Sequence, residues 1–189
     1  MYNSIVGYAL KIIKGNILFS IIIFIAISQL MTITSIFALM WKYEILLNEN
    51  IPFFRAFSIY SLLIVLFIVV LLISIITITH IFSKNSRMFS TLRIFGATKL
   101  SLKRLSLALS FLYPLISYIV SSIEIIIIYI RYRSYILTII NRTEVLNNAF
   151  TIFCSNVVLF LIFMFGAFIT NSVLLKRDPY EDLRGTLWI

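Results

Sequence analysis

The chain has 189 residues, of which 61% are hydrophobic and only 12% charged, and its mean hydropathy is +1.07. Soluble domains run near about 45–50% apolar, so a water-soluble globular domain is excluded and a membrane protein is indicated. The 16 Lys+Arg outnumber the 7 Asp+Glu and leave a formal charge of +9. These bases sit between long apolar runs, which makes anionic lipid headgroups the expected neighbours and argues against nucleic acid. The single cysteine, Cys154, lies inside an apolar run. It excludes an intrachain disulfide and a cysteine metal site and reads as a small packing residue.

Residues 1–15 read as an amphipathic helix lying in the interface. Ile5, Val6, Ala9, Ile12 and Ile13 recur at helical spacing, with Asn3, Lys11 and Lys14 between them. The alternative is a plain extension of the first span. That span covers residues 16–41. About 20 apolar residues cross a hydrocarbon core of ~30 Å, and the run is too long for a signal-peptide core of about 7–15 residues. Trp41 and Tyr43 fall where an aromatic belt sits. A short loop to Arg55 leads into the second span, 56–83, whose uniform Ile, Val and Leu suit a lipid-facing helix. His80, near its end, is read as a polar residue at the interface, although an ionisable group at membrane depth also invites a functional reading.

A basic interval follows, then a third span at 105–130 that contains Pro114, where a helix is expected to kink. The loop from 131 to 148 carries Arg131, Arg133, Arg142 and Glu144. A fourth span covers 149–175, and residues 176–189 form a polar tail. The whole chain, 1–189, reads as one all-α membrane domain of four transmembrane helices. Four spans put both termini and the central interval on one side. That side holds Lys11, Lys14, the six bases between 84 and 104, and Lys176, Arg177 and Arg184; the other holds Lys42, Arg55, Arg131, Arg133 and Arg142. The excess places the termini and the centre in the cytoplasm.

The central segment 84–99 has a pattern of its own. Read as a helix, it sets Met88, Phe89, Leu92 and Phe95 on one face, with Arg87, Ser90, Thr91 and Arg93 elsewhere around it. Gly96 breaks the run and lets the backbone turn, and Thr98 is placed to cap a helix from Lys99. Such an amphipathic helix, hinge and re-entry suits a lever pushed by a soluble protein. A solvated basic loop lying on lipid fits the pattern equally well.

Glu124 is the one acid inside a span. A charge at a helix centre costs about 2.5–3.5 kcal/mol on insertion scales. One reading has it snorkelling outward toward Arg131, two turns along the same face. The other makes Glu124, with Ser121 and Ser122 beside it, an intramembrane polar site on a subunit interface or substrate path. Catalysis within the chain is not expected, because the sequence has no phosphate-cradling glycine loop, no histidine–carboxylate pair and no nucleophile with a base.

The segment Leu92-Arg93-x-x-Gly96-Ala97-Thr98 resembles the signature of FtsX-like permeases, the membrane subunits of MacB-type ABC transporters. Ala9-Leu10-Lys11-Ile12-Ile13-Lys14-Gly15-Asn16 is similar to that family's basic approach to its first span. Asp178-Pro179-Tyr180-Glu181-Asp182-Leu183-Arg184 is similar to its tail after the last span. The three pieces stand in order against four spans, though they cover a small share of positions. The resemblance implies a permease subunit of the cell membrane, working as a homo- or heterodimer on two cytoplasmic ABC ATPase subunits. ATP and Mg would be bound by those partners and not by this chain. It implies that residues 84–99 form the coupling helix, with Arg87, Met88, Phe89, Leu92, Arg93, Phe95, Gly96, Ala97 and Thr98 meeting the ATPase. The cargo would be an amphipathic or lipid-like molecule or a peptide. A non-transporting signalling or anchor subunit is the alternative. Two departures stand against the family pattern. The loop between spans one and two is short where members carry a large extracellular domain, and the start of span three lacks the family's acid and glycine-rich run. Both suit a reduced partner, such as half of a heterodimer.

Overall fold

In a computed structural model, described over residues 5–42, 59–132 and 145–174, the chain is helical with short turns. The helices are α1 (Ile5–Gly15), α2 (Ile17–Lys42), α3 (Ile59–Lys84), α4 (Ser86–Ile94), α5 (Lys99–Arg131) and α6 (Val145–Leu174). Four segments are long and apolar enough to cross a bilayer: Ile17–Leu39, Ser61–Lys84, Leu100–Arg131 and Asn148–Leu174. This is the make-up of a multi-pass membrane protein. Residues 43–58 and 133–144, which hold most of the two short loops and include Tyr43 of the expected aromatic belt, and the Pro179-containing tail segment lie outside the described residues, as does the side chain of Trp41.

The helix expected from Lys99 merges into the third span, so that α5 runs without interruption from Lys99 to Arg131, and α6 begins at Val145, four residues before the expected start of the fourth span. Pro114 removes one backbone donor, yet α5 stays helical through it.

α1 and α2 are separated at Gly15 and Asn16. The Asn16 N–H donates to the Ile13 carbonyl at 3.1 Å and its Nδ2 to the Ile12 carbonyl at 3.0 Å, which satisfies carbonyls that the end of α1 would leave without donors. The apolar face of α1 is narrower than the sequence suggests. Ala9, Ile12 and Ile13 are buried, while Ile5 and Val6 are exposed along with Lys11 and Lys14.

The chain packs as two compact units, and each of the four long helices contributes to both. One unit comprises Met1–Ile23, Leu71–Tyr113 and Phe163–Ile189. Its core includes Ile78, Ile81, Leu102, Tyr113 and Phe163. α3 and α6 approach closely there, with Gly166 as the contact point: a Cβ at that position would meet Ser74 Oγ at 3.0 Å and the Leu71 carbonyl at 3.3 Å. Ser74 donates to the Phe163 carbonyl at 2.6 Å. Small residues that admit a neighbouring backbone are a common device for packing helices in lipid.

The other unit comprises Phe24–Val70 and Pro114–Ile162. Ile27, Met31, Val70 and Leu159 fill its core. Ser35 donates to Asn156 Oδ1 at 3.1 Å and Lys42 to Asn148 Oδ1 at 2.8 Å, tying α2 to α6. Isoleucines and valines such as Ile64, Val65 and Ile68 on α3 are more than half exposed. A monomer in water rarely carries such a surface, whereas lipid tails accept it.

Candidate functional site

Two places combine unusual chemistry with defined geometry. The first is the α4 turn. Asn85 links α3 to α4: its N–H and Nδ2 both donate to the Ile81 carbonyl, at 3.1 and 2.8 Å, while its own carbonyl accepts from Phe89 N–H at 3.1 Å. Phe89 anchors α4, being 5% exposed and stacked on Phe82 at 4.4 Å between ring centroids. Met88 and Leu92 are half-buried beside it.

The helix then stops in a defined way. Gly96 has φ of 91°, the left-handed region open to glycine. The Ala97 N–H reaches back to the Leu92 carbonyl at 2.8 Å, the six-to-one bond of a Schellman stop with Gly96 just past the helix end. Two residues later Thr98 Oγ1 accepts from the Ser101 N–H at 3.2 Å and so caps α5. Thus Gly96, Ala97 and Thr98 encode a helix stop followed at once by a helix start.

Phe95 departs from the expected arrangement. The sequence put it on one face with Phe89 and Leu92, but α4 ends at Ile94 and Phe95 sits in the turn, 84% exposed. Ile94 is also exposed. Arg87 and Arg93 lie on α4, and their side chains are outside the described residues. In the same unit Lys103 places Nζ 4.5 Å from the centre of the Phe168 ring, a cation–π contact.

The second place is the intramembrane carboxylate. Glu124 Oε1 accepts from Gln29 Nε2 at 2.9 Å and, at the long distance of 3.4 Å, from Ser28 Oγ. Glu124 Oε2 accepts from Thr32 Oγ1 at 2.7 Å. The Ser28 hydroxyl has one proton and its nearer acceptor is the Ile25 carbonyl at 2.9 Å, so Gln29 and Thr32 are the principal donors. Thr32 Oγ1 also lies 3.0 Å from Ser121 Oγ. With the Thr32 proton given to the carboxylate, Ser121 donates to Thr32, and the order of donation is Ser121 to Thr32 to Glu124. Ser122 does not join this group; it donates to the Tyr118 carbonyl of its own helix at 2.8 Å. Arg131, whose guanidinium lies 5.9 Å from the centre of the Tyr132 ring, is not a partner of Glu124. The snorkelling pair expected from the sequence is therefore replaced by donors from α2. Those donors stand near the middle of the apolar run Ile17–Leu39.

Sequence reading missed Ser28, Gln29 and Thr32. The signal was a set of small polar residues spaced by four or eight inside α2 (Ser20, Ser28, Thr32), matched in α5 by Ser106, Ser110, Ser117 and Ser121 at spacings of four and seven. His80 stacks on Phe19 with ring centroids 3.9 Å apart. Cys154 is exposed instead of packed, on the same helix as exposed Phe150 and Phe153. No family model, curated protein or solved structure matches the chain.

Proposed function

We propose that this chain is a membrane subunit of an ATP-driven transport complex of the FtsX-like kind, with its ATPase on a separate cytoplasmic partner. The observation that carries this reading is the short helix Ser86–Ile94, held between two membrane helices and ended by a glycine turn that leaves Phe95 84% exposed. An aromatic ring exposed to that extent, in a stretch carrying Arg87, Arg93 and Lys99, is a natural anchor for a protein pocket. The stacked pair Phe82 and Phe89 joins α4 to the end of α3, so a push on the turn reaches a membrane helix through packed side chains. In this reading the turn and both termini face the cytoplasm, the subunit pairs with a like or unlike second copy, and the cargo is an amphipathic molecule leaving the bilayer. A bound ATPase without transport would make the chain a signalling or anchor subunit instead.

The test is Phe95→Ala. The side chain packs on little within the chain, so thermal stability in detergent should stay within about 0.5 kcal/mol of the parent, as for most surface changes. ATPase activity of the purified complex should lose its dependence on cargo. Unchanged coupling in a stable Phe95→Ala complex would defeat the lever reading.

A further inference from the structure

The carboxylate of Glu124 lies about two turns from the end of α5, faces α2, and has neutral partners only. Gln29, Thr32 and the distant Ser28 supply its hydrogen bonds, and among the described residues no Lys, Arg or His reaches it. An ionised carboxylate accepts about four hydrogen bonds. Here each oxygen has one principal donor, Gln29 on Oε1 and Thr32 on Oε2, with Ser28 at 3.4 Å giving its proton chiefly to the Ile25 carbonyl, so the carboxylate retains capacity for a further donor. Neutral donors reduce the cost of desolvation but leave the charge itself unbalanced, and unpaired charge in hydrocarbon is what membrane proteins avoid except at functional sites.

The surroundings indicate where a balancing group comes from. Gln29 is exposed and Glu124 half-buried, so the carboxylate opens to the surface of its unit and not into its core. Ile25 and Ile33 stand one turn either side of Gln29, and Ile127 one turn beyond Glu124; they are 53%, 39% and 58% exposed. The result is a negative point set in an apolar strip at bilayer depth. Its chemical complement is a cationic nitrogen carried on an apolar body.

We infer that Glu124, with Gln29 and Thr32, is a binding site for the ammonium group of a cationic amphiphile that reaches it from the lipid. The nitrogen donates to the carboxylate and balances the charge, while the tail lies along Ile25, Ile33 and Ile127. As the cargo of the complex, this amphiphile rests on the proposed transport function; as a ligand of this chain, it rests on the membrane geometry alone.

The experiment uses the full chain in lipid nanodiscs without any ATPase, so that failure here is distinguishable from failure of the transport reading. A diazirine-bearing octadecylamine and the matching diazirine-bearing octadecanol are photoactivated separately, and adducts are mapped by mass spectrometry. The amine should label residues 25–33 and 120–127 at least fivefold more than the alcohol, and excess unlabelled octadecylamine should suppress that labelling. Glu124→Gln, which keeps the side-chain shape, should bring the amine down to the level of the alcohol. Glu124→Asp, which keeps the charge, should retain part of the preference. Equal labelling by amine and alcohol in the parent protein, or an undiminished preference in a folded Glu124→Gln variant, would overturn the inference.

Discussion

Two kinds of polar contact join the helices, and the Tyr113 region and the Glu124 region exemplify them. In the unit containing Tyr113, three polar contacts that join helices are made by neutral, fully buried side chains. Ser20 Oγ lies 2.8 Å from Tyr113 Oη, Ser74 donates to the Phe163 carbonyl, and Ser106 donates to Asn171 Oδ1. All of these hydroxyl and amide groups are within 2% of complete burial. In the unit containing Glu124 a charged group is half-exposed and draws on donors from a neighbouring helix. The first pattern is adhesive: small polar side chains let helices approach and give each other partners where lipid offers none. The second is an expensive group held in place, which stability alone does not explain.

Substitutions sharpen that contrast. The largest effect is expected at Gly166, where even a Cβ would press on Ser74 and Leu71. Gly166→Val should cost about 1–3 kcal/mol by overpacking, read as a fall in the midpoint of unfolding by SDS titration; an unchanged midpoint would mean that α3 and α6 do not pack as closely as described. Gly96→Ala comes next. Nothing lies within 4 Å of the added carbon, so the cost arises from the positive φ alone and should be roughly 1–2 kcal/mol. Helical content should persist in that variant while the turn shifts, and a protease-protection change confined to the turn would detect it.

Smaller still is the bond between Ser20 and Tyr113. A double-mutant cycle with Ser20→Ala and Tyr113→Phe should return a coupling of about 0.6 kcal/mol, the typical value for polar pairs between membrane helices. Glu124→Gln is where the comparison breaks or holds. If the carboxylate is functional and not adhesive, its loss should leave the unfolding midpoint unchanged or raise it, in the way functional sites trade stability for activity. A fall greater than that of the Ser20–Tyr113 pair would put Glu124 with the structural residues.

Much of this architecture could be read from the sequence, for reasons visible in particular residues. The four spans follow from composition, since runs such as 61–79 admit no charged side chain. The stop at Gly96 and the cap at Thr98 are local events, governed by the backbone within a few residues, and the sequence located both. Phe95 was misplaced because helical periodicity was extended one residue beyond the helix end. The donors of Glu124 were not found because they lie some 95 positions away, as in Gln29. Which polar residue of α2 faces which of α5 depends on how the helices rotate and slide against each other. Periodicity in either helix alone does not set that register.

The account turns on what the exposed ring at the α4 turn touches in the cell. Replacing Phe95 with the photoreactive benzoylphenylalanine and irradiating intact membranes tests it directly. The account predicts an adduct between this chain and a soluble protein whose sequence contains the phosphate-binding pattern G-x-x-x-x-G-K-[ST], and loss of that adduct on washing with an agent that strips peripheral proteins before irradiation. Adducts to lipid alone, or labelling of a cysteine at position 95 by an impermeant reagent applied outside the cell, would contradict it.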